Sequence, residues 1–316
     1  YKDELEFTQT ISLPGGETVK NDSHYIDEVL GAINKYKICK HSYVIALGGG
    51  ALIDLAGYAA SIAHRGVRLI RIPTTVLSQN DAAVGVKNGV NIFGKKNFIG
   101  TFEPPQAVIN DSQFLSTLED RDWIAGIAEA VKVALIKDKD FLYYIKNHVE
   151  ELRARNMKIM SSLIYRCAEL HMQHIAEGGD PFEKGSSRPL DFGHWSAHKL
   201  ENMTNYGIRH GEAVAKGMAL DLIYASEIGL LPSERAFEII DMLQEIGFDL
   251  HIPVANETQV ENLLQGIEEF REHLGGQLTI TLIEAIGRKK DVHEIDLNIM
   301  KKSISILNAK VKLNPA

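Results

Sequence analysis

Residues 43–63 read YVIALGGGALIDLAGYAASIA, and this stretch decides the fold. Tyr43 to Leu47 is a short apolar run of strand type, and Gly48, Gly49 and Gly50 turn it into a helix from Ala51 to about Ala63. A strand that passes through glycines into a helix opens an α/β unit. The glycines let the backbone approach a pyrophosphate, and the helix start offers free N–H groups with partial positive charge. A tight turn alone would use the same glycines, and the run is not a GxGxxG fingerprint. Asp54 lies one turn into the helix among Leu52, Ile53, Leu55 and Ala56, an odd place for a charge unless it meets a polar ligand. Leu69 to Ile72 and Ala107 to Ile109 read as further parallel strands, and Thr74-Thr75 behind Pro73 put hydroxyls at a strand end, where open α/β sheets bind ligands. The glycine-rich stretch from Gly85 to Gly100 reads as too irregular for a regular element.

Beyond Trp123 the texture changes to helical spacing, over Ile124 to Ile136, Met157 to Ile175, His210 to Glu227 and Glu234 to Ile246, with few strand signals before Leu278 to Ile283. The reading is an α/β Rossmann-like nucleotide-binding domain over residues 1–122 and a mainly α-helical metal and substrate domain over residues 123–316. With 316 residues, 45% hydrophobic and only 9 prolines, the chain can bury two cores, and disorder is excluded. Acidic residues outnumber basic ones, 42 to 34, for a net charge of −8. Nucleic acid and anionic membranes are therefore poor partners. Cys39 and Cys167 form no CxxC pair, which suits a reducing, cytoplasmic setting, and makes the sequons at Asn21, Asn202 and Asn256 coincidental. The first residue is Tyr1, so an N-terminal piece is expected to be missing.

The helical half carries a metal signal. His194 and His198 stand at i and i+4 in GHWSAHKLE, so on a helix both imidazoles share a face. His210 opens another helical run in RHGE, and Glu129 and Lys132 stand at i and i+3 in GIAEAVK. A carboxylate with two histidines leaves an open position on a zinc-like cation, which can polarise a substrate oxygen. Spacing does not choose which two histidines bind, and capping or core histidines are the plain alternative. His171 and His174 form a rival pair at i and i+3, read as solvated.

Together the motifs resemble dehydroquinate synthase and its sugar-phosphate cyclase relatives. PGGETVK (14–20), GGGALIDLAG (48–57), RIPTTVLSQNDAAVGVKNGVN (71–91), GKKNFIG (94–100), GIAEAVKVAL (126–135), DFGHWSAHKLE (191–201) and RHGEAVAKGM (209–218) are similar to the family's motifs, in order, and the match fades after about residue 230. The resemblance implies a divalent metal, most simply Zn2+ with Co2+ as the alternative, on Glu129, His194 and His210. It implies NAD contacts from Glu17, Lys20, Gly49, Gly50, Asp54, Thr74, Thr75, Lys96 and Thr117. It implies substrate contacts from Asp81, Lys87, Asn97, Lys132 and His198, with Arg65 reaching the phosphate of the neighbouring subunit's substrate in a homodimer. It also implies a further N-terminal βαβ unit, absent here. The implied chemistry takes hydride from a secondary alcohol to NAD+, expels phosphate β to the new ketone, returns the hydride, opens the ring and closes a carbocycle by aldol addition.

The departures sit on one side of the implied substrate. Where dehydroquinate synthase has a lysine, this chain has His171; the family's arginine falls at Ser187 with Arg188 one place off, and its asparagine is Asp191. Two extra residues lie between His171 and His194, and a C-terminal lysine cluster is replaced by Gly275 to Thr279 (GGQLT). The expectation is a cyclase acting on a seven-carbon sugar phosphate without a carboxylate. The alternatives are 3-dehydroquinate synthase proper and a metal-dependent NAD alcohol or polyol dehydrogenase, against which Lys87, Asn97 and the His-Gly-Glu run argue.

Overall fold

A computed structural model of the chain describes residues 9–178 and 189–311. The chain divides into two compact units, Tyr1–Leu118 and Glu119–Ala316. The first holds helices α1 (Ser23–Lys35) and α2 (Gly50–Ile62) and strands β1 (Tyr43–Gly48), β2 (Arg68–Pro73), β3 (Lys87–Ile92), β4 (Lys95–Phe102) and the short β5 (Ala107–Val108). Strands β1, β2 and β5 form a parallel sheet in that order, with Tyr43 opposite Arg68 and Gly48 opposite Pro73. Helix α2 is apolar nearly all round because it is covered on two sides. Leu55 and Ala59 pack with Val19, Val29, Ile33 and Val90, while Ile53, Ala56 and Ala60 pack with Ala46, Leu69 and Ala83.

The stretch from Gly85 to Gly100, expected to be irregular, is the antiparallel hairpin β3–β4. Its asparagines and glycines have poor strand propensity, so tertiary contacts supply what local preference lacks. Arg71, fully buried on β2, donates to the carbonyls of Ala83 (3.0 Å) and Gly85 (2.6 Å) and to Asn88 Oδ1 (2.7 Å). Helix α2 lies so close over the hairpin that a Cβ on Gly57 would come within 1.8 Å of Asn88 Oδ1.

The second unit holds α3 (Asp120–Ala125), α4 (Ile127–Lys137), α5 (Lys139–Asn147), α6 (Val149–Arg153), α7 (Met157–Glu177), α8 (His194–Met203), α9 (His210–Glu227), α10 (Ser233–Ile246), α11 (Glu257–His273) and α12 (Leu297–Lys310), with the antiparallel pair β6 (Ile280–Ala285) and β7 (Arg288–Val292). The expected helix from Ile124 to Ile136 is broken at Gly126 into α3 and α4. Helices α4 and α9 are buried along almost their whole length and form the centre of the unit. Among the described residues, no helix is long and apolar enough to cross a membrane.

Asp138 caps α5, accepting from the Phe141 N–H (3.0 Å), and Arg166 of α7 donates to its Oδ2. Burial pushes this carboxyl up, but the Phe141 N–H and Arg166 outweigh it and hold it below the usual carboxylate range. The folded value lies below the unfolded one, so the stabilisation is present above the unfolded value and is lost as pH falls through the folded one. Asp138→Asn should lower stability by about 1 kcal/mol at neutral pH and flatten the acid limb of the melting profile below about pH 4. Thermal melts of the two proteins across that range check this.

Candidate active site

In the first unit the parallel register brings the Gly48–Gly50 turn beside Thr74 and Thr75 at the C-terminal edge of the sheet. The Thr74 N–H donates to the Gly48 carbonyl (3.0 Å), and a Cβ on Gly49 would sit 3.4 Å from the Thr75 methyl. Gly49 is the N-cap of α2 and no side chain caps that helix, so its first N–H groups face the turn. Thr75 and Ser78 bond each other through hydroxyl and backbone at 2.8 to 3.1 Å, opening the π-helical turn Ser78–Ala82 that carries Asp81.

Lys20, buried, donates to Asp54 Oδ2 (2.8 Å) and to Asn97 Oδ1, and lies 3.5 Å from Glu17. Glu17 and Lys20 thus meet Asp54 of α2 and Asn97 of β4, both distant in sequence, in one cluster. Burial pushes the Asp54 carboxyl above its usual range, with the Lys20 ammonium acting against it. Asn91, which the sequence reading passed over, ties the cluster together: it donates to Glu17 (3.1 Å) and accepts from the Asn97 N–H (2.8 Å).

The other named residues of this unit lie on the hairpin, on a short 3-10 helix and beyond the end of α2. Lys87 and Lys96 lie on the two strands of the hairpin. Thr117 ends a short exposed helix, its hydroxyl donating to the Phe114 carbonyl (2.9 Å). Arg65 is exposed beyond the C-terminal end of α2, roughly 20 Å along the axis from the glycine turn at 1.5 Å per residue. His64 and Arg65 both have left-handed backbones, φ 52° and 62°.

In the second unit Glu129 (α4), His194 (α8) and His210 (α9) converge. One ligand atom from each lies within 4.8 Å of the others. Glu129 Oε1 is 3.9 Å from His194 Nε2 and 3.6 Å from His210 Nε2, and the Lys132 ammonium sits against Oε2. Neither carboxylate oxygen accepts a hydrogen bond of ordinary geometry, although Glu129 is fully buried. The Lys132 ammonium balances Oε2, while Oε1 faces the two imidazoles and is placed to join them around a further cation.

The imidazoles are oriented by their other nitrogens. His194 Nδ1 is 3.1 Å from the Phe192 carbonyl and His210 Nδ1 is 3.1 Å from Glu201 Oε2, both acceptors, so each Nδ1 donates and each Nε2 presents a lone pair to the centre. Burial, with Lys132, His210 and His198 nearby, holds His194 well below the usual imidazole range, which leaves it neutral as a ligand must be. His198, Glu201 and His210 form a second overlapping set. There His210 Nδ1 is already committed to Glu201, so the set containing Glu129 is the better cradle.

Local sequence explains the placement. His210 is the first residue of α9, and a Cβ on Gly211 would strike the Ala125 carbonyl at 1.9 Å, so only glycine lets this helix end reach α3. Glu212 accepts from the Arg209 N–H (2.9 Å) and pairs with Arg121, pinning the helix start. The His-Gly-Glu run thus supplies an imidazole to the cluster, a close contact and a cap. His171, expected to be solvated, is instead buried on α7; Asp191 lies in the short turn before α8, and Ser187 and Arg188 fall outside the described residues.

The pattern described as 3-dehydroquinate synthase N-terminal matches residues 10–125, and that described as 3-dehydroquinate synthase C-terminal matches residues 126–271. The chain belongs to the 3-dehydroquinate synthase family. A 3-dehydroquinate synthase from Acinetobacter baumannii (strain SDF) is 33% identical over 297 residues, 93% of this chain and 81% of the relative. Among solved structures, a 2-epi-5-epi-valiolone synthase from Streptomyces hygroscopicus subsp. jinggangensis, with NAD+ and Zn2+ bound, is 28% identical with a TM-score of 0.89, over 94% of this chain and 82% of that one. A 2-deoxy-scyllo-inosose synthase complexed with carbaglucose-6-phosphate, NAD+ and Co2+ is 25% identical with a TM-score of 0.80, over 92% and 80%. Membership of the 3-dehydroquinate synthase family makes this chain an enzyme of the sugar-phosphate cyclase kind, with a Rossmann-like domain followed by a helical one.

Proposed function

We propose that this chain is an NAD- and metal-dependent lyase that eliminates phosphate from a seven-carbon sugar phosphate and closes a carbocycle by intramolecular aldol addition. The observation that carries the reading is the buried Glu129 carboxylate facing the Nε2 lone pairs of His194 and His210, in a chain of this family. These three residues hold the divalent cation, and the glycine turn with Glu17, Lys20, Asp54, Thr74, Thr75, Lys96 and Thr117 holds the dinucleotide. When bound, the cation polarises a substrate oxygen, and NAD+ takes up a hydride and later returns it.

The remaining residues bind and orient. Lys132, against Glu129, meets a substrate hydroxyl beside the cation. His198 grips the phosphate by a charge-assisted hydrogen bond and stabilises it as it leaves; in the first unit, Asp81, Lys87 and Asn97 keep the substrate-binding role that the family resemblance implies. The His198 ring centre is 5.5 Å from that of His194 and 6.0 Å from that of His210, within reach of the same small molecule. Arg65, remote along α2 from the glycine turn, serves the site of a second copy in a homodimer. Two free cysteines, Cys39 and Cys167, fit a cytoplasmic setting.

Asp54→Ala should weaken NAD+ binding by roughly tenfold or more, because it removes a charged acceptor and strands the buried Lys20. Calorimetric titration with NAD+ measures it, and an unchanged affinity would remove Asp54 from the site. The function itself is tested by offering seven-carbon sugar phosphates with NAD+ and Zn2+ or Co2+. Inorganic phosphate should be released from at least one. A protein with metal and NAD+ bound that releases phosphate from none contradicts the proposal.

A further inference from the structure

Asp221 is a fully buried carboxylate in the middle of α9, with no cation among its hydrogen-bond partners. Its Oδ2 accepts from the Gly193 backbone N–H (3.0 Å), and its Oδ1 accepts from the Trp195 indole N–H (2.9 Å). The two donors belong to the residues on either side of His194. His210, Gly217 and Asp221 stand at i, i+7 and i+11, so they form one stripe along α9. On that stripe Gly217 meets the turn before α8: a Cβ on Gly217 would lie 2.0 Å from the Gly193 carbonyl, and one on Gly193 would lie 2.6 Å from the Met218 nitrogen. Gly193 itself holds φ 77°, open to glycine without strain.

We propose that Asp221 is a positioning residue for the metal centre, clamping Gly193 and Trp195 onto α9 so that the first residue of α8, His194, faces the first residue of α9, His210. The inference rests on the reading that Glu129, His194 and His210 hold the cation. Its physical content is a register: α9 carries one ligand at its start and, one stripe along, both the contact and the acceptor that fix the other ligand's backbone. A carboxyl group is suited to this task because each of its two oxygens can accept. Burial pushes it up to about 7, and the Trp195 and Gly193 N–H donors act against that in favour of the ionised form. An asparagine offers one acceptor and would turn its amide N–H groups toward a second donor.

The test is Zn2+ affinity of purified protein, by competition with a chromogenic chelator. Asp221→Asn should bind Zn2+ roughly ten- to a hundredfold more weakly than the native protein, the range seen when groups that orient metal ligands are lost. Trp195→Phe, which removes one donor and keeps the bulk, should fall in between. NAD+ affinity should be unchanged in both. Lys216→Met removes a buried ammonium on the same helix but off the stripe, together with its bonds to Asp249 and the His251 carbonyl, and should lower the melting temperature without changing Zn2+ affinity. Asp221→Asn binding Zn2+ within twofold of native, or losing no more than Lys216→Met, overturns the proposal. If Asp221→Asn does not fold, Trp195→Phe decides, and a native affinity there overturns it equally. His210→Ala separates the two claims: if it binds Zn2+ as native does, the metal reading itself is wrong.

Discussion

His210→Ala is expected to empty the metal centre and to slow phosphate release by roughly a thousandfold, whereas His198→Ala should retain the metal and slow only the elimination. The two imidazoles look interchangeable in sequence and are not so in space. His210 Nε2 points at Glu129 Oε1 across 3.6 Å while its Nδ1 is held by Glu201. Removing it leaves only His194 beside the Glu129 carboxylate, two ligands in all and too few for a cation that prefers four. His198 stands on the same helix face as His194, its ring centre 5.5 Å away, and is not a member of the set that contains Glu129. Metal content of the two dialysed variants, with phosphate release, separates the roles. Native metal content and native rate in His210→Ala would refute the assignment.

The second large effect concerns substrate choice. A neutral ketose phosphate such as sedoheptulose 7-phosphate is expected to be turned over at least roughly a hundredfold more efficiently than the keto-acid phosphate 3-deoxy-arabino-heptulosonate 7-phosphate. A substrate carboxylate taken out of water needs a cationic partner, and leaving it without one costs on the order of 3 to 5 kcal/mol. Where the family has lysine this chain has His171, buried on α7, and where it has asparagine this chain has Asp191, which if ionised would repel a carboxylate. A hydroxymethyl group in the same place would instead donate a hydrogen bond. His171→Lys should narrow the preference. Phosphate release at equal substrate concentration measures the ratio, and faster turnover of the keto acid would make 3-dehydroquinate synthase proper the function.

What the sequence revealed and what it hid follow from the range of the interactions. The strand, glycine turn and helix over residues 43–63 were legible because every signal is local: an apolar run, three glycines and an apolar helix without a break. The histidine pair of α8 was legible because four residues make one helical turn. The hairpin from Lys87 to Phe102 was not, because its strands are rich in asparagine, glycine and lysine and are held by Arg71 from another strand. Spacing alone could not choose between the histidines, since the choice is made by Glu129, on a separate helix. Glu201 and Asp221 were passed over for the same reason. A lone carboxylate on a helix reads as a solvated face, and the partner of Asp221 lies 26 positions away at Trp195.

The central claim is that the dinucleotide is a recycled cofactor in an elimination rather than the acceptor in a net oxidation. The most direct measurement is the ratio of NADH accumulated to inorganic phosphate released in one reaction containing the metal-loaded enzyme, NAD+ and a seven-carbon ketose phosphate. Many phosphates should be released per enzyme, with NADH staying at or below one per active site. NADH that rises in step with substrate consumed, without phosphate, would contradict it and place the chain among the metal-dependent dehydrogenases.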